Sequence, residues 1–315
     1  MDRTVFVALA DVMDDPGARA ALEEAFSTVV VATARSDALT ELTALGDAVH
    51  AAIVGVRERV DARVLEALPQ LRVLGSISAG TDHLDLAALA DRGVRVITAP
   101  GVNAVSVAEH ALMMILALAK RALPAHTAVT GGQDRAGVPD LPVELRGRRA
   151  GVLGAGATAR SLIPLVRALG MEVLVWTRHP RRHPDLRTAT LEEIFAGCGV
   201  VSVHLPLTPQ TRGMVGARLL RLLPPGAFIV NVARKEIIDG DGLRAVVAER
   251  PDVRFAIDDF GLAEDGTVAI VGDQGLWSPH IAGVTAQASA AMQDVVIRGV
   301  VREITSQRLP SDAAG

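Results

Sequence analysis

Val152-Leu153-Gly154-Ala155-Gly156-Ala157-Thr158-Ala159 is an apolar run that breaks at two glycines and resumes as a helix-forming sequence; a second apolar run follows and ends at Val175-Trp176-Thr177-Arg178. Strand, tight turn, helix and strand at this spacing make a cradle for a dinucleotide. Gly154 permits the turn, Gly156 lets the backbone approach a pyrophosphate, and the small Ala159 lets the helix pack on its strand. The N–H groups of the first helical turn, at Ala157 and Thr158, have no partner inside the helix and face the phosphates.

The end of the second strand selects the cofactor. A carboxylate there accepts hydrogen bonds from a ribose 2′-hydroxyl and repels a 2′-phosphate. Thr177 occupies the position, and Arg178, His179, Arg181 and Arg182 follow, a group of cations suited to charge-assisted bonds with phosphate. The expected cofactor is NADP, with NAD as the alternative. Arg178, beside the strand end, is the expected phosphate ligand, since runs such as Arg181-Arg182 are more often a solvated loop.

The chain has 315 residues, half of them hydrophobic, enough for two cores and too many for one ordinary compact domain. A net charge of -4 and 3% aromatic residues argue against a nucleic-acid surface of basic patches and stacking rings. The single cysteine, Cys198, excludes an intrachain disulfide framework and a cysteine-ligated zinc site, and no metal is expected. Lying between Gly197 and Gly199 ahead of an apolar strand, it reads as a small packed residue. Thr4 to Ala10 is a strand-length run with acids on both sides rather than a secretory leader. Leu112 to Ala119 is too short to span a bilayer. The expectation is a cytoplasmic protein with no membrane partner.

Away from the cradle, short β-type runs at Thr4–Leu9, Val29–Ala32, Ala51–Val54, Val73–Ile77 and Val94–Ile97 alternate with amphipathic or alanine-rich stretches, as in βαβ units. A long apolar helix is expected from about Val105 to Leu123, then a surface connection from Pro124 to Pro142. Later strands are expected at Val152-Leu153, Glu172–Trp176, Val200–His204, Ala227–Val230, Arg254–Ile257 and just before Pro279. Pro164, two turns into the cradle helix, should kink it. A final helix runs from about Thr285 to Ser306, and the tail Arg308 to Gly315 should be mobile. With the cradle in the middle of the chain, the last helix is expected to return to the first domain. That gives two α/β domains with parallel sheets, residues 1–98 plus 284–315 for substrate and 99–283 for dinucleotide, with a cleft between them.

Three further segments follow the cradle: Val203-His204-Leu205-Pro206-Leu207-Thr208, Asn231-Val232-Ala233-Arg234 and Ser278-Pro279-His280-Ile281-Ala282-Gly283. Together with Ser78-Ala79-Gly80-Thr81-Asp82, Ala99-Pro100-Gly101-Val102-Asn103 and Ser106-Val107-Ala108-Glu109-His110, they make the chain resemble the D-isomer-specific 2-hydroxyacid dehydrogenases from about Ala51 to Gly299. The resemblance implies one Rossmann-like and one flavodoxin-like domain and hydride exchange between a nicotinamide cofactor and a small 2-oxo or 2-hydroxy acid. It makes Arg234 the residue that binds the substrate carboxylate and carbonyl oxygen, a role that suits a planar, permanently charged fork. It makes His280 the acid/base, because an alkoxide needs a proton and imidazole titrates near neutral pH. His204, Leu205, Pro206, Val232 and Ala233 are expected to line the cofactor, and Asp258 to hold the nicotinamide amide.

A glutamate normally supports that histidine, and here the pattern is displaced. Asp258-Asp259-Phe260-Gly261-Leu262-Ala263-Glu264 carries alanine five places after Asp258 and the carboxylate one place later. Glu264 is therefore the expected supporter through a rearranged loop, and Asp259 replaces a usual valine. His204 is the rival acid/base, whereas His83, His110 and His126 have no comparable context.

The Ser78-Ala79-Gly80 loop is expected to offer backbone N–H groups to the substrate carboxylate. Arg57 and Arg59 are candidates for a second anionic group such as a phosphate or phosphonate, or are ordinary surface arginines. The partners expected are thus a small anionic substrate and, by resemblance, a second copy of the chain through the helix near Val105 to Leu123. Two alternatives stand beside the dehydrogenase reading: a non-catalytic nucleotide sensor on the same scaffold, kept alive by the displaced glutamate, and an oxidase of formate or phosphite type.

Overall fold

Runs dominated by valine, isoleucine and alanine become parallel strands whose turns carry the polar chemistry. The computed structural model describes residues 3–259 and 261–306, with Ile270 and Asp273 by backbone alone. The expected mobile tail lies outside the described residues. The strands are β1 (Thr4–Val7), β2 (Thr28–Val31), β3 (Val49–Val54), β4 (Val73–Ser76), β5 (Arg95–Ile97), β6 (Arg149–Leu153), β7 (Glu172–Trp176), β8 (Val200–Val203), β9 (Phe228–Asn231), β10 (Arg254–Asp258) and β11 (Gly275–Ser278).

The chain divides into two compact units, Met1–Val102 with Ala286–Gly315, and Asn103–Thr285. In the first, five parallel strands run in the order β2-β1-β3-β4-β5, the flavodoxin-like doubly wound arrangement. Such sheets are buried on both faces, which is why β3 and β4 read as nearly continuous apolar runs. The helix Ala286–Ser306 closes this unit by packing on β4. Gly75 lets it approach, because a Cβ there would stand 2.7 Å from Val300 and 2.8 Å from Val296. Arg3 beside β1 donates from Nη1 to the Ile304 carbonyl at 2.6 Å, tying the two ends of the described chain together.

In the second unit six parallel strands run β11-β10-β9-β8-β6-β7. Beyond β7, Val175 makes an isolated parallel bridge with Thr188. With that bridge counted, the order is 3-2-1-4-5-6-7, the arrangement of dinucleotide-binding sheets with one further strand, β11, beyond position 6 and with the outermost strand beside β7 reduced to one pair. One apolar cluster, including Ile194, Leu219, Leu243 and Phe255, fills one part of the unit. Another, including Met114, Ile115, Leu162 and Ile163, packs the helices Ala104–Lys120 and Ala157–Ala168 together.

One local expectation changes. The long apolar helix ends at Lys120, Arg121 takes a left-handed conformation (φ 55°), and a second helix, Ala122–Thr130, occupies the start of the expected connection, bent 60° from the first. Pro124 falls in the first turn of this second helix, where its missing N–H has no helical acceptor to lose, so it is compatible with a start rather than a stop. The cradle helix runs through Pro164 to Ala168. Pro164 is exposed while Leu162, Ile163 and Val166 are buried, so the carbonyl of Arg160 that loses its helical donor can be hydrated. No single helix among the described residues is long and apolar enough to cross a membrane.

Cys198 is fully buried beside β8, and burial pushes its thiol up to about 11. Since the thiolate is the reactive form, Ellman's reagent at pH 8 should titrate no thiol in the native protein and one per chain in guanidinium. Rapid labelling of the native protein would place this residue at the surface.

Candidate active site

The second unit gathers the motifs at one edge of its sheet. Gly154 follows β6, Thr177 follows β7, His204 follows β8, Val232 to Arg234 follow β9, Asp258 ends β10, and Ser278 ends β11 with His280 just beyond. Because all six strands are parallel, every one of these positions lies at the carboxyl edge, where open α/β sheets place ligands. The chain reverses its winding between β6 and β8, and the cradle sits there.

Gly154 has φ 117°, and a Cβ on it would stand 2.5 Å from the His204 carbonyl oxygen, so this position demands glycine for the fold itself. Gly156 differs: its φ is -74° and nothing lies within 4 Å of an added Cβ. It caps the helix Ala157–Ala168 with no side chain satisfying the first turn, and Gly156 and Ala157 are exposed, with Thr158 partly so. An open glycine over an uncapped helix start fits a dinucleotide pyrophosphate. Leu205 and Val232 are buried, Pro206 is exposed, and Ala233 is partly buried. Arg178 is exposed beyond β7, and Thr177 accepts from the His179 N–H at 3.3 Å. Arg160 on the cradle helix pairs with Asp185 (2.9 Å) and bonds His183 (2.8 Å), tethering the far end of the arginine-rich loop.

The turn that carries Arg234 is stapled by Asn231. This fully buried side chain accepts from the Ala233 N–H at 3.0 Å and donates to the Arg234 carbonyl at 2.8 Å. The asparagine of the motif is thus a turn-former, and Arg234 emerges partly buried, with Nη1 donating to the Ala233 carbonyl at 2.8 Å.

His280 also has a left-handed backbone, φ 58°, a conformation that disfavours a residue with a Cβ. Asp258 holds it. The carboxylate, 3% exposed, accepts from Ser278 Oγ at 2.5 Å and from the Ile281 and Ala282 N–H groups at 2.9 and 2.8 Å. His110 reaches Ser278 Oγ through Nε2 at 2.9 Å. Because that hydroxyl donates its one hydrogen to Asp258, it accepts from His110, which assigns a proton to His110 Nε2. Asp258, expected at the nicotinamide amide, therefore has a loop to clamp, and His110, given no role from sequence, completes the clamp from the helix Ala104–Lys120.

The carboxylate on His280 is not the expected one. Asp259 Oδ1 lies 3.3 Å from His280 Nδ1, and Asp259 Oδ2 accepts from the Lys235 N–H at 2.5 Å. Glu264 is exposed and makes no hydrogen bond or ion pair among the described residues. Asp259 is anchored directly between strand ends, its N–H donating to the Ser278 carbonyl at 3.1 Å, whereas Glu264 lies in a turn beyond Gly261 (φ 65°). A double acid at the end of a β-strand, with one carboxylate already taken by the adjacent loop, is the signal that could have found it.

His204, the rival acid/base, is hydrogen-bonded to Ser202 Oγ through Nε2 at 2.8 Å, and burial pushes its imidazole down to about 4. It is neutral at pH 7 and poorly suited to donate a proton there.

In the first unit, Ser78 is buried and its hydroxyl joins a chain: Ser78 Oγ to Ser76 Oγ at 2.8 Å, Ser76 Oγ to His83 Nε2 at 2.8 Å, and Ser78 Oγ to the Gly80 carbonyl at 2.7 Å. The Ser78 N–H is taken by the Ser76 carbonyl at 2.8 Å, which removes it from the expected anion donors. Among the described residues the N–H groups of Ala79 and Gly80 make no hydrogen bond. Arg57 and Arg59 are exposed on either side of buried Glu58, which accepts from the Gly55 N–H at 2.7 Å and so shapes their loop.

The sequence profile of the D-isomer specific 2-hydroxyacid dehydrogenase NAD binding domain matches residues 112–282. Relatives include an (S)-sulfolactate dehydrogenase of Chromohalobacter salexigens, 32% identical over 314 residues that cover 95% of this chain and 98% of that protein. A D-3-phosphoglycerate dehydrogenase of Archaeoglobus fulgidus is 29% identical over 260 residues, 80% of this chain. An erythronate-4-phosphate dehydrogenase of Azotobacter vinelandii is 34% identical over 245 residues, 76% of this chain. The match spans 49% of the Archaeoglobus protein and 58% of the Azotobacter one, so the chain spans about half the length of these relatives. Among solved structures, the TT0316 protein from Thermus thermophilus superposes with a TM-score of 0.83 at 25% identity, covering 98% of both chains. A glyoxylate reductase from Paecilomyes thermophila superposes at 0.85 with 21% identity over 99% of both, a likeness of fold. The matched profile takes in the cradle, the arginine turn and the histidine loop at one sheet edge, and by it the chain belongs to the D-isomer specific 2-hydroxyacid dehydrogenase family.

Proposed function

We propose that this protein is an NADP-preferring oxidoreductase that interconverts a small 2-oxo acid and the corresponding 2-hydroxy acid. The observation that carries the proposal is the convergence at one carboxyl edge of an open phosphate cradle, a stapled arginine and a clamped histidine. The bound nicotinamide supplies or accepts the hydride. Arg234 orients the substrate by its carboxylate and polarises the keto oxygen as negative charge grows on it. His280 gives that oxygen a proton in reduction and takes it back in oxidation, so 2-oxo acid, hydride and proton balance the 2-hydroxy acid. The amides of Ala79 and Gly80 are proposed as further donors to the carboxylate.

The substrate class is extended to acids bearing a second anion, read by Arg57 and Arg59. The support is that relatives are named for phosphoglycerate, erythronate phosphate and sulfolactate, each an acid with a second anionic group. NADPH absorbance should be followed with glyoxylate, hydroxypyruvate, 3-phosphohydroxypyruvate and 3-sulfopyruvate. Oxidation with one or more supports the proposal. Tight NADPH binding with no turnover in any mixture overturns it in favour of a sensor, and turnover of formate or phosphite alone overturns it in favour of that oxidase.

The preference for NADP rests on the absent acid at Thr177 and on Arg178. Arg178→Ala should raise the Kd for NADPH about 10- to 100-fold, the loss of one charge-assisted bond, and leave NADH within about twofold. Equal losses for both would refute the assignment. A homodimer is proposed on the exposed apolar side chains Val105, Met113, Leu123 and Val129 of the two helices after Asn103. Sedimentation at micromolar concentration checks it, with a monomer as the contrary result.

A further inference from the structure

We propose that Asp259 is the positioning residue for His280 and that it couples this imidazole to the Arg234 turn, taking the part that the displaced Glu264 leaves vacant. The proposal rests on the dehydrogenase reading for its kinetic consequence but on geometry for its substance.

One carboxylate touches both halves of the site. Oδ2 accepts from the backbone N–H of Lys235, the residue directly after Arg234, at 2.5 Å, and Oδ1 meets His280 Nδ1 at 3.3 Å. Asp259 is only 7% exposed, so its charge must be met by partners rather than by water. Its own N–H, bonded to the Ser278 carbonyl, fixes it across the β10 and β11 ends. An acceptor on Nδ1 keeps the proton of the neutral ring there and leaves Nε2 to exchange a proton with substrate.

Other ionisable groups around this centre have different attachments. Asp258 is engaged by Ser278, Ile281 and Ala282, and His110 approaches it from the helix Ala104–Lys120 at 4.0 Å. Lys235 Nζ pairs with Asp265 at 2.7 Å. Arg234 is held through Asn231, and Glu264 is exposed.

The test has a spectroscopic arm that needs no turnover. In the unsubstituted protein labelled with 15N-histidine, the ring signals missing from His280→Gln identify His280. The neutral ring should carry its proton on Nδ1; a proton on Nε2 would overturn the proposal. In Asp259→Asn the ring should lose its preference for a proton on Nδ1, while Glu264→Gln keeps it. The reverse pattern, or no change in Asp259→Asn, also overturns it.

The kinetic arm uses whichever 2-oxo acid the unsubstituted protein reduces. Asp259→Asn should lower kcat about 100-fold with KM changed less than about threefold. Asp259→Glu should recover part of kcat, which a structural defect would not. If the unsubstituted protein turns over nothing, the dehydrogenase reading fails, and the ring signals alone decide the role of Asp259.

Discussion

Arg234→Ala should lower kcat/KM for the 2-oxo acid by about 10²- to 10³-fold, or about 2.7 to 4 kcal/mol of transition-state stabilisation if it behaves like a lost oxyanion donor. The size follows from what the guanidinium does at two moments. It binds the carboxylate in the ground state, and it meets the charge that develops on the keto oxygen as hydride arrives. Arg234→Lys should recover only part, since an ammonium keeps the charge without the planar fork. Steady-state kinetics with both variants checks this, alongside melting curves. The Asn231 staple holds the turn through backbone atoms of Ala233 and Arg234, so truncating the arginine leaves those bonds in place and the melting temperature nearly unchanged. A variant with normal kcat/KM would remove Arg234 from the reaction.

Gly154→Ala should damage both the fold and cofactor binding. The new Cβ meets the His204 carbonyl oxygen at 2.5 Å, and alanine at φ 117° is strained whatever space is made. A cost of about 3 kcal/mol would lower the melting temperature of a unit this size by roughly 6 to 12 °C. The companion Gly156→Ala separates folding from ligand. At φ -74° with nothing within 4 Å of the added methyl, it should melt like the unsubstituted protein yet bind NADPH more weakly, because the methyl takes space meant for phosphate. Calorimetry of both, with NADPH titrated by fluorescence, makes the comparison. If Gly154→Ala melts normally, the tight turn is not what that glycine provides. If Gly156→Ala binds NADPH at full strength, the pyrophosphate does not lie over it.

The two glycines show how far the linear order reaches. Both were readable as cradle residues, because strand, turn and helix are neighbours in sequence and their periodicity carries the signal. Which one the fold itself requires is settled by the His204 carbonyl, 50 residues away in the chain and adjacent at the point where the winding reverses. Arg234 was legible because its motif is a compact local turn. Its staple, Asn231, is local too, an asparagine three places earlier whose side chain closes the turn on backbone groups.

The histidine loop marks the other limit. His280 stands out by its motif, but the spacing along the chain points to Glu264, and spacing cannot tell which acid is anchored between strand ends. Asp259 and His280 are 21 residues apart and His110 and Ser278 168 apart, so their pairing depends on where β10, β11 and the helix Ala104–Lys120 are brought together. The left-handed backbone at His280 was likewise invisible, being a strain that Asp258 offsets from across the sheet edge.

Apolar periodicity, glycine turns and short motifs, all encoded within about twenty neighbouring residues, were enough for the α/β class, the cradle, the arginine and the histidine. The partner of that histidine, the loss of the Ser78 amide as a donor, the helix restart at Arg121 and the outer strand shrunk to a single bridge were settled by packing. The difference is physical: a local pattern biases each segment toward one conformation, whereas a hydrogen bond between distant segments exists only after the core has chosen their register and buried the competing water.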